Sequence, residues 1–384
     1  MFIYIAIFIY LFVITYKYDF KSDKRYLKLN YILSCIILIA VAGLRYRIGY
    51  DTNNYMANFE HAPSFSEILD GREFYGDPLW MYIFGISKEI CKDFFLVQII
   101  QAIIVNCAVF WFIRRHSPKP FLAVFLYTIL LWWNLCFEAM REAIAVAFFL
   151  YGLDALLVNK GFKTYYLRVW PAIFAHSFGF VTLLFPFIKY LKTKKLAIIF
   201  LAVILVVSFI VKDYINDIAS MLEMTSDMAS DKATKYLESE TYGENNMSIN
   251  GMIAMVLGGI VPCIPIIMSL KDKTILGKTN LLPFVFVYAC VVFLRIQIPI
   301  FFRFLNYFEI PVIVAFTQVI CIEHKKIIRQ FAGATMFIMV LLRMYSLTAP
   351  DVGTTIEAYH RYVPYNSIFQ KNFNKDSETI FSSN

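Results

Sequence analysis

The stretch that decides the fold is YILSCIILIAVAGLRYRIGYDTNNY, residues 31–55. Residues 31–44 form an apolar run, and the polar turn that follows contains Arg45, Arg47 and Asp51. An apolar run that gives way abruptly to cationic residues is typical of a helix that leaves the hydrocarbon core of a bilayer. The stretch therefore predicts a membrane-spanning helix that delivers two arginines and a carboxylate to one membrane surface.

Composition extends this interpretation to the whole chain of 384 residues, of which 59% are apolar and 17% are charged. The mean hydropathy is +0.61, whereas a soluble domain is about 45–50% apolar and about 25% charged. Apolar runs recur from end to end, and about 20 such residues cross a bilayer. We predict an all-α, polytopic membrane protein with about twelve transmembrane or half-length helices.

The predicted helices cover residues 2–16, 31–46, 94–113, 120–135, 139–158, 165–176, 177–190, 195–211, 249–270, 281–299, 303–322 and 330–347. Threaded from an outside N-terminus, they put six basic loops in the cytoplasm: 17–30, 114–119, 159–168, 189–195, 271–278 and 323–329. These loops carry 21 of the 36 Lys and Arg residues, as the positive-inside rule expects. The threading requires residues 165–190 to form two short helices that meet near His176.

The same threading defines the domain organisation. We predict one helical membrane domain over 1–347, with outer-face loops at 47–93 and 212–248 and an outer-face tail at 348–384. The first loop is rich in aromatic and polar residues and is expected to carry amphipathic helices. The first apolar run lacks a basic n-region and a small-residue cleavage site, so we expect a retained helix and not a signal peptide.

Ionisable residues at the ends of apolar helices are costly and need a reason. Five arginines from separate helix ends are the candidate diphosphate-binding residues: Arg45, Arg47, Arg141, Arg295 and Arg303. A guanidinium bonds phosphate bidentately and keeps its charge in a low-dielectric setting, so the five arginines would build a cationic cavity for a lipid-linked diphosphate. The alternative is that each arginine only snorkels toward headgroups or pairs with a carboxylate.

Three residues are candidates for the catalytic base that deprotonates a hydroxyl: His176, Asp51 and Glu138. An imidazole titrates near neutral pH and can accept such a proton. Each candidate has a structural alternative. His176 would be a packing residue, Asp51 a helix N-cap, and Glu138 the ion-pair partner of Arg141 or Arg303.

Further candidates for the substrate cavity are Tyr46, Tyr55, Glu142, Asn306 and Tyr307. Most aromatic residues on this face are typical of an interfacial belt, while a minority would stack on sugar rings. The sequence has no Gly-rich phosphate loop, no Asp-x-Asp pair, no HExxH and no CxxC or Cys/His ligand spacing. We therefore predict neither a metal nor a cofactor. Because the basic residues lie in short loops between apolar runs, we expect no nucleic-acid partner.

Several short motifs follow one another in the order of a known family. They are GLRYRIGYDTNNY (43–55), MREAIAVAFFL (140–150), WPAIFAHSFGF (170–180), RFLNYF (303–308) and VPYNSIF (363–369). Together they resemble the motifs of the EpsG-like, Wzy-type exopolysaccharide and O-antigen polymerases of bacteria. Glu142 stands where that family usually has glutamine, and EFYGDPLW (73–80) is loosely similar to its acidic segment.

The resemblance implies a GT-C-like architecture and a metal-independent glycosyl transfer at the outer face of the bacterial cytoplasmic (inner) membrane. A glycan on undecaprenyl diphosphate would pass to the non-reducing end of a new lipid-linked repeat unit. Arg45, Arg47, Arg141 and Arg303 would neutralise the leaving diphosphate. The expected partners are undecaprenyl-diphosphate-linked glycans, the lipid bilayer, a chain-length regulator and a flippase.

Three other functions compete with this one. An O-antigen-ligase-like transferase would use the same donor with a lipid-core acceptor. A lipid-linked oligosaccharide flippase or other transporter would show internal repeats and broken helices near the bilayer midplane. A purely structural membrane component would leave the arginines unexplained.

Overall fold

The computed structural model describes residues 2–73, 76–191, 199, 203, 252–253, 255–268, 281–297, 301–321, 326–348 and 361–369. Within these ranges the chain is mostly helical, and the only β-type pairing is an isolated bridge between Arg45 and Ser367. The predicted all-α class is thereby confirmed. The chain divides into two compact units, Met1–Pro186 with Val340–Asn384, and Phe187–Met339.

Ten α-helices form the first part of the chain: α1 (Phe2–Thr15), α2 (Leu27–Gly43), α3 (Thr52–His61), α4 (Phe65–Leu69), α5 (Pro78–Ile90), α6 (Phe95–His116), α7 (Pro120–Leu130), α8 (Met140–Leu157), α9 (Gly161–Val169) and α10 (Pro171–Ala175). π-Helical turns follow α1 at Tyr16–Phe20 and precede α8 at Asn134–Glu138. Two 3₁₀ helices follow α10 at Ser177–Leu183 and Phe185–Tyr190. The predicted amphipathic helices of the 47–93 loop are confirmed as α3, α4 and α5.

The second part of the chain contains the π-helical turn Val256–Ile260 and the α-helices Cys263–Met268, Leu282–Gln297, Phe302–Ile320 and Lys326–Thr348. The helix Leu282–Gln297 packs against Phe302–Ile320. Close packing also brings Gly259 to Val292, because a Cβ on Gly259 would lie 2.7 Å from Cγ1 of Val292. The predicted helix 195–211 lies outside the described residues except at Ile199 and Val203, and the predicted loop 212–248 lies wholly outside them.

Several predicted helix boundaries were wrong, among them the starts of α2 at Leu27 and of α9 at Gly161, which were predicted at residues 31 and 165. The predicted helix 120–135 is interrupted, because α7 ends at Leu130 and a π-helical turn over Asn134–Glu138 leads into α8. The rings of Trp132 and Phe137 pack 5.1 Å apart across this break. The last helix begins at Lys326 and not at residue 330.

Helix α8 is the centre of the first unit, and it packs against α6, α9 and α10. Most of its residues are buried, including Ala143, Ala147 and Phe149. Gly152 lets α9 approach closely, since a Cβ there would lie 3.0 Å from Cε2 of Tyr165. A helix that is buried on all sides supplies a rigid base for side chains at its two ends.

The chain reverses at His176, as predicted for residues 165–190. His176 adopts an extended conformation between α10 and the first 3₁₀ helix. The Tyr165 hydroxyl then donates to the Thr182 carbonyl at 2.5 Å, and the Tyr166 hydroxyl donates to the Leu183 carbonyl at 3.2 Å. Gly179 is required at the apex, because a Cβ there would lie 2.1 Å from the carbonyl oxygen of Ala172. Two short helical arms therefore form a hairpin.

A buried carboxylate ties the base of this hairpin to its neighbours. Asp154, near the end of α8, accepts from Arg115 at 2.5 Å and from Arg168 at 2.9 Å. His116 lies 3.0 Å from the same carboxylate through Nε2. Because Arg115 and His116 end α6 while Arg168 belongs to α9, this cluster links three helices at one end of α8.

Three helical segments among the described residues are long and apolar enough to cross a membrane: Phe2–Phe20, Phe95–His116 and Lys326–Leu347. Shorter apolar helices cover Leu27–Gly43, Pro120–Leu130, Ser177–Tyr190, Val256–Met268 and Leu282–Arg295. These segments fit the predicted membrane protein, although they do not establish the predicted count of about twelve helices.

Candidate active site

The turn after α2 folds back on itself around Arg45. The Arg45 guanidinium is fully buried. It donates to the Ala42 carbonyl, to the Ile48 carbonyl at 3.3 Å and toward the Met140 sulfur at 3.2 Å. Its charge lies 4.6 Å from the centre of the Phe137 ring. Arg45 thus closes the turn from inside.

This burial bears on the prediction that Arg45 binds diphosphate. A side chain with no exposed surface, whose donors point at backbone carbonyls, does not present its guanidinium to a ligand in this conformation. A buried guanidinium bonded in this way stabilises the turn, and neither headgroup snorkelling nor phosphate binding describes it. The structure therefore supports a structural role for Arg45.

Two residues of the turn have positive φ. Arg47 has φ +52 and Gly49 has φ +101. A Cβ on Gly49 would lie 2.6 Å from the Phe137 carbonyl oxygen, so this position requires glycine. An arginine in the left-handed region is uncommon, and such strain concentrates at functional sites. Arg47 is half-buried, and its guanidinium lies 5.6 Å from the centre of the Tyr46 ring.

Residues 361–369, which we call the C-terminal strap, pair with this turn. The Tyr46 amide donates to the Asn366 carbonyl at 2.9 Å, and the Ile368 amide donates to the Leu44 carbonyl at 2.9 Å. Burial raises the pKa of Tyr365 to about 12, so its neutral hydroxyl donates to the Val41 carbonyl at 3.0 Å. The first and last motifs of the sequence therefore form one structural element.

Glu138 holds the start of α3 in this arrangement. Its Oε1 accepts from the Tyr50 amide and its Oε2 accepts from the Asp51 amide, both at 3.1 Å. Arg361 of the strap lies 3.8 Å from Oε1. Because both carboxylate oxygens already accept hydrogen bonds, the geometry supports an orienting role for Glu138 and disfavours its predicted role as the base. The sequence predicted an ion pair of Glu138 with Arg141 or Arg303, but the partner found here is Arg361, and Arg141 pairs with Asp77.

Asp51 lies at the N-cap position of α3, yet its side chain makes no capping hydrogen bond to the first turn. The proposed alternative of a side-chain cap is therefore not what the structure shows. Asp51 is half-buried, and its carbonyl accepts from the Tyr55 amide at 3.0 Å. Residues four apart share one face of a helix, so Asp51 and Tyr55 are neighbours on α3.

A cavity of about 330 Å³ opens beside Tyr55, in the same unit. Its wall is formed by residues of α3, α5, the segments on both sides of α4, and the start of α8. They are Tyr55, Asn58, His61, Ala62, Pro63, Arg72, Glu73, Gly76, Asp77, Trp80, Met81, Phe84 and Arg141. Of the residues predicted for the site, Arg141 and Tyr55 line this cavity.

Arg141 reaches the cavity from the first turn of α8. Its Nη1 donates to Oδ2 of Asp77 at 2.8 Å, and its guanidinium lies 5.8 Å from the centre of the Tyr55 ring. The Arg141 side chain keeps 32% of its surface exposed, against 10% for Asp77. Arg141 is therefore oriented by a carboxylate and still open to the cavity, in contrast to Arg45.

The apolar part of the lining belongs to an aromatic cluster on α3 and α5. The rings of Tyr55 and Trp80 lie 5.4 Å apart, those of Trp80 and Phe84 lie 5.0 Å apart, and those of Phe59 and Phe84 lie 5.4 Å apart. Lys88 of α5 donates to the Glu60 carbonyl at 2.8 Å at the end of α3. The cluster and this hydrogen bond fix the two helices that bound the cavity.

Sequence reasoning missed most of the lining, above all Asp77, Asn58, His61 and Arg72, although Trp80 was among the aromatic residues expected on this face. Two signals could have found them. Tyr55, Asn58 and His61 recur at three-residue intervals on one face of α3, and Asp77, Trp80 and Phe84 follow the corresponding pattern on α5. Pro78 in EFYGDPLW marks the start of a helix.

His176 is buried at the hairpin apex, where α10 packs against α5. Its Nδ1 accepts from the Phe178 amide at 3.1 Å. A nitrogen that accepts a hydrogen bond carries no proton, so the neutral ring holds its proton on Nε2. In this arrangement His176 is a donor through Nε2, which speaks against its predicted role as a base.

The remaining predicted site residues have separate positions. Glu142 is buried in the first turn of α8, outside the cavity lining. In the second unit, Arg295 and Arg303 lie 5.9 Å and 5.5 Å from the centre of the Phe302 ring. Asn306 and Tyr307, on the helix that contains Arg303, are buried. That all five arginines build one cavity stays a prediction.

The fold and the site define a helical membrane protein with a polar and aromatic cavity at the end of a buried helix. The EpsG family model matches residues 28–367 of this chain. Because this match covers most of the chain, the protein belongs to the EpsG family, which comprises Wzy-type polysaccharide polymerases. No match was found among curated proteins or among solved structures.

Proposed function

We propose that this protein polymerises lipid-linked oligosaccharide repeat units into a polysaccharide chain at the outer face of a bacterial cytoplasmic membrane. The observation that carries the proposal is the cavity in which Arg141, Asp77 and Tyr55 meet. Family membership supplies the class of reaction, and this cavity supplies a place for a sugar substrate.

The proposed reaction is a glycosyl transfer from a polyprenyl diphosphate such as undecaprenyl diphosphate. A hydroxyl of the incoming repeat unit loses its proton to a base, and its oxygen forms a bond to the anomeric carbon of the growing glycan. The bond between that carbon and the diphosphate oxygen breaks, and the lipid diphosphate leaves with the electron pair. The proposed transfer needs no metal ion to stabilise the leaving diphosphate, because guanidinium groups can neutralise the charge that develops on it.

We assign the base to Asp51. The acceptor atoms of Glu138 and of His176 Nδ1 are already used by backbone amides. Asp51 lies on the same face of α3 as Tyr55, whose ring borders the cavity. Asp51 is not part of the cavity lining, but it lies one helical turn from Tyr55, which is.

Within the first unit, the diphosphate would be held by Arg47, and His176 would donate from Nε2 to a substrate oxygen. Strain at Arg47 supports a functional role there, because a positive φ in arginine needs support from its surroundings. Glu138 and the C-terminal strap supply that support. These residues are then the parts of a site that is organised before substrate binds.

A deletion strain tests the proposal. Cells without this protein should accumulate lipid that carries a single repeat unit, and a plasmid copy should restore long glycans. A plasmid copy with Asp51→Asn should not restore them at equal protein level, whereas the matched change Asp70→Asn, on an exposed residue outside the cavity, should. Glycans of normal length in the deletion strain would refute the polymerase. Repeat units retained on the cytoplasmic leaflet would favour a flippase.

A further inference from the structure

We propose that the cavity between α3, α5 and Arg141 is the subsite for the acceptor sugar, and that it takes an uncharged sugar ring and not the diphosphate. This inference rests on the proposed function and names the substrate part that the cavity binds. It also reassigns Arg141, which the sequence predicted to bind diphosphate.

The first argument is charge. Among the lining residues that the structure describes, two guanidiniums, of Arg72 and Arg141, stand against two carboxylates, of Glu73 and Asp77, and Arg72 is also paired with Glu67 outside the lining. Asp77 already bonds Arg141 directly. A diphosphate would bring further negative charge next to two carboxylates, and like charges at such distances repel. A neutral ligand meets no such repulsion.

The second argument is hydrogen-bonding chemistry. A sugar hydroxyl both donates and accepts, so it needs acceptors and donors within the same small volume. Carboxylates accept, guanidiniums donate, and the amide of Asn58 does both. The lining offers all three kinds of group around one cavity. A phosphate site needs donors alone, so the carboxylates would be out of place there.

The third argument is shape. Tyr55, Trp80 and Phe84 pack against one another in the same lining as the polar groups, and all three are largely buried. A sugar ring is two-sided, with C–H groups on its faces and hydroxyls at its edge, so its face suits an aromatic surface. The cavity volume of about 330 Å³ is at the lower end of the roughly 300–1,000 Å³ range of ligand pockets. This size fits the terminal ring of a glycan and not a whole repeat unit.

The fourth argument is the position of Asp51. Tyr55 links the cavity wall to Asp51 through one turn of α3, and Glu138 fixes the backbone amides of Tyr50 and Asp51. Three residues after Glu138, Arg141 enters the cavity. The acceptor ring and the proposed base are therefore held by the same junction of α3 with α8.

The test measures binding to the full-length protein in lipid nanodiscs. The probe is the repeat-unit oligosaccharide released from the host's lipid-linked pool by mild acid, which carries no phosphate; inorganic diphosphate is the second probe. We expect the oligosaccharide to bind with a dissociation constant that changes little with salt. Asp77→Asn should weaken binding at least about tenfold, whereas Asp70→Asn should leave it unchanged. Inorganic diphosphate should not compete.

A second variant guards against a folding defect in Asp77→Asn. Asn58 is exposed on α3, so Asn58→Ala should keep the melting temperature while weakening oligosaccharide binding by about tenfold or less. Wild-type binding by both variants, or displacement of the oligosaccharide by inorganic diphosphate, would overturn the inference. The inference would also be overturned if the non-reducing terminal sugar of the repeat unit were found to carry a carboxylate or phosphate, because the proposed ligand is uncharged.

The two proposals fail in different ways. Normal glycans in the deletion strain would defeat the polymerase, whatever the binding result. A different pair of results would uphold the polymerase and defeat the acceptor subsite alone. In that case the deletion strain accumulates single repeat units, while Asp77→Asn and Asn58→Ala bind the oligosaccharide as the wild type does.

Discussion

Arg45 and Arg141 lie on two sides of the start of α8, and their environments are opposite. Arg45 is fully buried, donates to the carbonyls of Ala42 and Ile48, and reaches the sulfur of Met140. The next residue, Arg141, keeps 32% of its side chain exposed and is oriented by Asp77 at the edge of a cavity. Two arginines at helix ends in one unit therefore have separate tasks.

The difference shows what decides the task of a charged residue at a helix end. A guanidinium enclosed by backbone carbonyls stabilises a turn, because removing it would leave buried acceptors without donors. A guanidinium that is paired with a carboxylate and partly open can exchange or share its hydrogen bonds with a ligand. Burial and the type of partner distinguish the two, and residue type alone does not.

After the loss expected for Asp51→Asn, the largest effect is expected at Arg141. Arg141→Ala should lower the rate of chain elongation by about 10²-fold or more, because it removes the charged donor of the cavity. Arg141→Lys should recover only part of this loss, since an ammonium lacks the planar fork of the guanidinium. The assay is a glycan ladder from membranes with equal protein level. Arg114→Ala, on an exposed arginine at the end of α6, is the control. A ladder of normal length from Arg141→Ala would refute the assignment.

The turn around Arg45 can be tested with two glycines. Gly49 and Gly71 both have positive φ, but only Gly49 faces a backbone atom at 2.6 Å, while nothing lies within 4 Å of the Cβ position at Gly71. Gly71→Ala should therefore cost about 1 kcal/mol in the free energy of unfolding. Gly49→Ala should cost about 1–3 kcal/mol more, since the backbone must shift. Equal melting temperatures for the two variants would contradict this account.

The hairpin apex should show an intermediate effect on activity. His176→Asn keeps an acceptor near the position of Nδ1, so it should retain the melting temperature while elongation falls about 10-fold or more for want of the Nε2 donor. His176→Gln carries an amide near the position of Nε2 but lacks the acceptor for the Phe178 amide. It should therefore lose about 0.5–2 kcal/mol of stability and keep more activity. If His176→Asn kept more activity than His176→Gln, the result would contradict the donor role and favour His176 as the base.

The smallest effect is expected at Glu138. Glu138→Gln keeps one acceptor oxygen and loses the ion pair with Arg361, so it should destabilise the start of α3 by about 1–2 kcal/mol. Elongation should fall by less than for Arg141→Ala, because Asp51 is displaced but not removed. Glu60→Gln, on an exposed residue of α3, is the control. A loss as complete as that of Asp51→Asn would make Glu138 a catalytic residue.

The helices and the hairpin could be predicted from the sequence because apolar runs and basic loops mark them directly. The reversal at His176 was predicted from the distribution of Lys and Arg among the loops. In the structure, Gly179 allows the close approach at the apex, and the Thr182 carbonyl accepts a hydrogen bond from Tyr165. The amphipathic helices of the 47–93 loop were expected as a class, but their bounds needed the structure.

The tasks of individual charged residues could not be predicted, because they depend on contacts between distant parts of the chain. Glu138 bonds amides almost ninety positions earlier in the chain. Arg45 is adjacent to Ser367, and Arg141 meets Asp77. Spacing along one helix carries no information about such pairs. The cavity was missed for the same reason, since its aromatic cluster comes from two helices, α3 and α5, that only tertiary packing brings together.

The central claim is that Arg45 stabilises the turn while Arg141 serves the substrate cavity. The most direct test replaces each of the two arginines by methionine. Arg45→Met and Arg141→Met are purified side by side, and the melting temperature and the elongation rate on lipid-linked repeat units are measured on the same preparations. The account predicts a clearly lowered melting temperature for Arg45→Met, and for Arg141→Met a smaller loss, from the unpaired Asp77 carboxylate, with a rate reduced about 10²-fold. An unchanged melting temperature for Arg45→Met together with a wild-type rate for Arg141→Met would contradict it.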